Sequence, residues 1–368
     1  MAELIITFPN FGNYTLAFKL ICKELGLKAV FPEKTNSKQI SEGAKLAPEM
    51  YCFPFKVNLG NYLEAIRKGA NTILMATASG GSCRLRYYGR VQEKILKEGG
   101  HKVNFIIFDQ SIKDIYKKIK EISGLPFWQI LKAIVSFYKK LRFIEKIEEK
   151  TRYLRPREIK KGMTDKVFNE SLLKLERTNS KNFEKVKKEI LTEFAKIEIE
   201  KNKKVPKVGL IGEIYTLCDP VVNFEIEKKL GKLGVEVHRE ITLSYHLKKK
   251  IFFTDFFIQR KIRDYLACSV GGHGRDAIYE MLKYIKEGFD GVIQILPAMC
   301  MPETTVRPIL EKLHQKSKIP FLSLSIDEQV AEAGIETRLE AFVDVVQNYH
   351  ERKFLENKHL KHESLFRS

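Results

Sequence analysis

Three of the six cysteines sit in short loops punctuated by proline or glycine: Glu49-Met-Tyr-Cys52-Phe-Pro-Phe-Lys56, Gly80-Gly-Ser-Cys83-Arg84 and Pro297-Ala-Met-Cys300-Met-Pro302. Each is expected just past a strand end. A structural cysteine is usually a small apolar filler inside a helix or strand. Thiols in loops at the end of a sheet, where α/β proteins build their sites, point instead to thiolate ligands of one metal centre. The separations, 31 and 217 residues, match no zinc ribbon and no ferredoxin run. The fold itself must assemble such a centre.

Three thiolates are sparse for zinc, which takes a fourth Cys or His. A cubane iron–sulfur cluster can be held by three, leaving one iron open or bound by another ligand. Three unrelated loop cysteines remain the plain alternative. Cys218, in Gly212-Glu-Ile-Tyr-Thr-Leu-Cys-Asp-Pro220, is a candidate fourth ligand, whereas Cys22 and Cys268 are expected in the core. His273, in Gly271-Gly-His-Gly274, is a candidate proton donor or acceptor, and the glycines could offer N–H groups to a phosphate. Glu213, Glu303 and Glu328 fall near strand ends, suited to acid–base work or to helix capping. No Walker A sequence is present, so this chain is not expected to hydrolyse nucleotides.

The elements that must position these residues alternate. Strands are predicted at 4–8, 28–31, 72–76 and 103–108, with helices at 14–25, 61–68 and 88–97. The rhythm returns from Val205, with strands at 205–211, 235–238, 291–296 and 320–324 and helices at 223–233, 252–266, 275–287, 306–315 and 335–349. Such alternation with short connections gives parallel, doubly wound sheets. Between them, apolar residues such as Ile130, Ile134, Phe137 and Leu141 recur at helical spacing through a charged stretch, where Trp128 is expected in the core. The expected organisation is α/β, with two Rossmann- or flavodoxin-like domains at 1–110 and 205–350, a helical insertion or lid at 111–204 and a charged, frayed tail at 351–368.

A chain of 368 residues can bury more than one core, and its 44% apolar content is ordinary for a soluble protein. No apolar run of membrane-spanning length and no secretory leader are apparent. Scattered cysteines fit a reducing cytoplasm. The net charge of +19 is mostly lysine, much of it between Lys132 and Lys204, without zinc-finger, helix-turn-helix or RNA-binding signatures. Nucleic acid is therefore disfavoured against a solvated face that meets an acidic partner or substrate.

Several segments stand in one order: Cys52-Phe-Pro-Phe-Lys-Val-Asn-Leu-Gly60, Cys83-Arg-Leu-Arg-Tyr-Tyr-Gly89, Gly212-Glu-Ile-Tyr215, Gly271-Gly-His-Gly274, Cys300-Met-Pro-Glu303, Asp327-Glu-Gln329 and Thr337-Arg-Leu-Glu-Ala-Phe342. Together they resemble the 2-hydroxyacyl-CoA dehydratase component family, nearest to its branch of small proteins grouped with CoA-substrate enzyme activases. The resemblance covers the chain up to about residue 345 and is weakest in the helical middle. It implies a 4Fe-4S cluster held between two α/β domains by Cys52, Cys83 and Cys300, with an eight-iron double cubane (8Fe-9S) as the alternative. It also implies a separate ATP-hydrolysing activator that delivers low-potential electrons. The reaction expected is reductive or radical chemistry such as dehydration of a 2-hydroxyacyl-CoA, making the chain a lyase, or an oxidoreductase. Reduction of another small unsaturated molecule, a non-catalytic electron carrier or scaffold, and a homo-oligomer stay open.

Overall fold

The computed structural model describes residues 3–77, 83–109, 111–252 and 254–365. Two parallel sheets flanked by helices form its frame, as the alternation predicts. The first holds β1 (Ile6–Thr7), β2 (Thr72–Thr77) and β3 (Asn104–Asp109) in the order β1-β2-β3. The second holds β4 (Lys207–Gly212), β5 (Glu236–Arg239), β6 (Gly291–Pro297) and β7 (Phe321–Ile326) in the order β5-β4-β6-β7. Every pairing is parallel. All seven residues of β6 are buried, as a central parallel strand covered by helices on both faces must be.

The strand predicted at 28–31 is reduced to a bridge from Ala29 to Ile6, held by Ile6 N–H to Lys28 O and Val30 N–H to Ile6 O, both 2.9 Å. Counting that bridge, both sheets reverse direction after their first strand, in flavodoxin-like order. The reversal falls between β1 and β2 in one sheet and between β4 and β6 in the other. Ligands of open α/β sheets bind beyond the carboxyl ends of the strands at such switch points.

Between the sheets in the chain, helices Phe127–Leu154, Met163–Arg177 and Phe183–Ala195 enclose a core of Phe137, Leu141, Ile144, Ile147, Leu175, Ile190 and Phe194, while Tyr116 and Ile119 of the helix Ile112–Ser123 pack on a separate cluster with Leu25 and Ile130. Trp128 departs from expectation. It is 74% exposed, because it lies near the start of its helix on the face away from Ile130 and Ala133, which pack on Leu25. The last helix, Glu332–Leu365, runs through most of the tail expected to fray. No glycine or proline interrupts residues 335–365, so nothing there stops it.

Candidate metal centre

Cys52 does not follow a strand, contrary to expectation. It is the N-cap of the helix Phe53–Arg67, and the preceding element is the helix Ser37–Leu46. Pro54 in the first turn accounts for the early start, since a proline loses no hydrogen bond there and its fixed φ suits the helix. The two helices touch backbone to backbone through Gly43 and Gly60, where an added Cβ would lie 1.9 Å from Lys56 O and from Gln39 O respectively. That close contact sets where the Cys52 end of the helix points. Cys300 mirrors it as N-cap of the helix Met301–Ser317, three residues beyond β6, with Pro302 in the first turn. Cys83 stands before the helix Leu85–Glu98, and Gly80, Gly81 and Ser82 of its segment lie outside the described residues.

The structure brings these three segments together. The Phe53 N–H donates to Ala298 O at 3.2 Å, joining the Cys52 turn to the Cys300 loop. Cys52 and Cys300 share one apolar cluster with Phe55, Tyr88 and Leu296. Arg84 donates to the carbonyls of Met50 and Met299, so the Cys83 segment grips both other loops. The Tyr88 hydroxyl meets Cys52 Sγ. All six cysteines are free of disulfides.

Electrostatics carry the same proximity. Burial pushes the Cys52 thiol up to about 12; Tyr88 pulls it down, while Glu213 and Cys83 raise it further. Burial likewise raises Cys83, and raises Cys300 well above the usual range, with Glu303, Cys52 and Glu213 adding to it. The Arg84 guanidinium lowers Cys52 and Cys83 too little to offset burial, so the three thiols are neutral near pH 7. Glu213 influences all three. It sits after Gly212, whose φ of +138° suits only glycine and where a Cβ would lie 2.1 Å from Ile295 O. Its carboxylate caps the next helix, accepting from Tyr215 N at 3.0 Å and Thr216 N at 2.9 Å, and burial raises its pKa.

A second polar cluster adjoins the Cys300 helix. Glu303 is fully buried, accepts from Gln294 Nε2 at 3.0 Å, and its Oε1 has no partner among the described residues. Burial lifts its pKa to about 8, against the Gln294 hydrogen bond. His273 Nε2 is 3.3 Å from His246 Nδ1, and burial lowers both rings to about 3, leaving them neutral. Lys249 pairs with Asp276 at 2.6 Å beside them. The glycine turn ahead of His273 packs closely: Cβ atoms at Gly272 and Gly274 would lie 3.0 Å from Pro302 atoms. Those glycines bring His273 against the Cys300 helix. Glu328 pairs with Lys56 of the Cys52 helix, another tie between the two sheets.

The remaining cysteines lie elsewhere. Cys22 is buried on the helix Thr15–Glu24, as expected, but Cys268 is exposed rather than in a core. Cys218 belongs to the core of the helical segment, where Arg239 Nη1 lies 3.1 Å from its sulfur. Residue type and spacing give Arg84 and Tyr88 no role, although both lie in the segment Cys83–Gly89.

Among the described residues no three His, Cys, Asp or Glu side chains surround a point as ligands of a single metal ion would. A cubane makes a different demand, because each thiolate takes its own iron corner. Cys52 and Cys300 lie buried in one apolar cluster, and Cys83, half-buried on its own segment, is near enough to act on the Cys52 thiol.

Residues 241–346 match the family model described as 2-hydroxyglutaryl-CoA dehydratase, D-component. The resemblance read from the motifs is borne out over this segment, which is similar to a 2-hydroxyacyl-CoA dehydratase component and contains Cys300, His273, Glu303 and Glu328, whereas Cys52 and Cys83 lie outside it. No curated protein sequence matches the chain.

Proposed function

We propose that the chain is an iron–sulfur protein of the 2-hydroxyacyl-CoA dehydratase type, in which Cys52, Cys83 and Cys300 hold a 4Fe-4S cluster at the carboxyl ends of both sheets. The observation that carries this reading is that one arginine joins all three cysteine segments, beside a segment that matches the dehydratase family. When bound, the cluster would supply low-potential electrons and an open iron for reductive or radical chemistry such as loss of the 2-hydroxyl of an acyl-CoA. The protein's own side chains do the rest. The Tyr88 hydroxyl, in contact with Cys52 Sγ, would donate to the thiolate formed on ligation and stabilise it against protonation. The apolar cluster of Phe55, Leu59, Tyr62 and Leu296 keeps water from that side. Glu303, neutral at pH 7 and with one oxygen unpartnered, is placed to give or take a proton, and the neutral His273 is the second such group.

Electrons are proposed to come from a separate ATP-hydrolysing activator, as the family implies. A groove of 490 Å³ between the helix Phe127–Leu154 and residues 180–181 supports a docking role. It has Trp128, Leu131 and Val135 in its lining and Lys132, Lys139 and Lys181 around them. That pattern suits a partner surface with an apolar ridge flanked by carboxylates. No helix among the described residues is long and apolar enough to cross a membrane. Anaerobic purification with optical and electron paramagnetic resonance spectra tests the reading: a brown protein with a cubane signal is expected, and a colourless protein with stoichiometric zinc would refute it.

A further inference from the structure

Arg84 does for the cysteines what none of them can do alone. Its Nη1 donates to the carbonyl of Met50, two residues before Cys52, and its Nη2 to the carbonyl of Met299, one residue before Cys300. Arg84 itself follows Cys83. One planar guanidinium, with its donors in a fixed fork, thus spans three chain segments far apart in sequence.

Two further observations show that the grip has something to hold. Met299 adopts φ 61°, the left-handed region that a non-glycine residue avoids, in a turn closed by the Cys300 N–H donating to Pro297 O at 3.0 Å, and its side chain is half exposed. The carbonyl of that same residue is the one Arg84 takes. Met50 is also exposed, so its own side chain does not anchor the turn. The guanidinium carbon lies 5.5 Å from the centre of the Tyr51 ring, and Tyr51 packs on Phe55 at 4.1 Å and Tyr88 at 6.1 Å. Tyr88 in turn meets Cys52 Sγ. Arginine, aromatic ring and phenol form one connected brace around the thiols.

We propose that Arg84 is a positioning residue, not a ligand, that pins the Cys52 and Cys300 loops against Cys83 so that the three thiols present one geometry before any cluster arrives. This rests on the reading that these cysteines hold the cluster, so the test has one arm that needs no cluster.

The first arm measures alkylation of Cys52 and Cys300 by iodoacetamide, site by site by mass spectrometry, in the reduced, metal-free protein. Wild type, Arg84→Ala and Arg84→Lys are compared at one pH, with melting temperature as the control for global folding. Losing two hydrogen bonds to a charged donor should speed both sites by about tenfold or more while the melting temperature moves little. Lysine should do no better than alanine, because one ammonium on a flexible stem does not span both carbonyls. Adding Met299→Gly to Arg84→Ala lifts the left-handed cost and should restore slow alkylation at Cys300 but not at Cys52. If Arg84→Ala does not fold, Arg84→Lys carries the same expectation.

In the second arm the proteins are reconstituted anaerobically, and iron loss to a chelator and the resonance line shape are followed. The variants should lose iron faster by about tenfold and show altered line shapes, reflecting the same two missing hydrogen bonds. Variants with wild-type alkylation and wild-type iron retention would overturn the role of Arg84 and leave the cluster reading standing. A wild-type protein that takes up no iron would overturn the cluster reading and, with it, the assignment of Arg84 to a cluster.

Discussion

Replacing Gly60 by alanine sets two physical effects against each other. Alanine is the better helix former by about 1 kcal/mol, so an uncrowded site would gain stability. Gly60 is crowded: its Cβ would lie 1.9 Å from Gln39 O, against 3.4 Å for ordinary contact, and the obstacle is backbone rather than a side chain that can swing aside. The helices Ser37–Leu46 and Phe53–Arg67 must therefore part by about 1.5 Å, an overpacking that typically costs about 1–3 kcal/mol and here belongs at the upper end. The net expectation is a destabilisation of about 1–2 kcal/mol. It is read as a lower urea midpoint for the reduced, metal-free protein, with Gly43→Ala behaving alike. Because Cys52 caps the helix that moves, Gly60→Ala should also retain less iron after reconstitution. A midpoint at or above wild type would show that helix propensity wins and refute the close-contact reasoning.

Stability should fall on mild acidification. His246 and His273 are lowered from 6.5 to about 3 by burial, so between these pH values the unfolded chain binds protons that the folded chain refuses. Each ring then costs about 2 kcal/mol at pH 5 and nothing above pH 7; a His246→Gln, His273→Gln double variant whose urea midpoint falls equally steeply from pH 7 to 5 would contradict this. Cys22→Ala and Cys268→Ala should keep full iron content. The first, being buried, loses on the order of 1 kcal/mol of packing, and the exposed second loses none. The chain alone should show no ATPase activity, and turnover should require an ATPase partner or a strong artificial reductant and weaken with salt. Robust ATP hydrolysis by the chain alone would overturn that division of labour.

Much of the frame was legible because parallel sheets buried on both faces leave apolar runs such as residues 291–297, and because Gly26, Gly69 and Gly99 punctuate the helices between them. The helix Ser37–Leu46, absent from the expected elements, has a legible start: Asn36 and Gln39 form a reciprocal capping box, at 3.0 and 3.1 Å. The strand expected at 28–31 failed because sequence cannot show how many partners an edge segment will find, and this one finds a single bridge. Trp128 was misplaced for a similar reason: helical periodicity marks a face, not whether anything covers it. At the site, the loop positions of Cys52, Cys83 and Cys300 singled them out. Arg84 and Tyr88 did not stand out, since their roles come from contacts across 34 and 215 residues for Arg84 and 36 for Tyr88. Glu213 was legible as a cap, but its closeness to the thiols depends on how the two sheets face each other.

The central claim is that Cys52, Cys83 and Cys300 together hold one iron–sulfur cluster. Iron and acid-labile sulfide, quantified per chain in anaerobically reconstituted wild type and in the three single Cys→Ala variants, test it most directly. About four irons and four sulfides are expected in the wild type and a severe loss in each variant. About eight irons would instead indicate a double cubane. A variant lacking any one of the three thiols that still holds a full cluster would contradict the account.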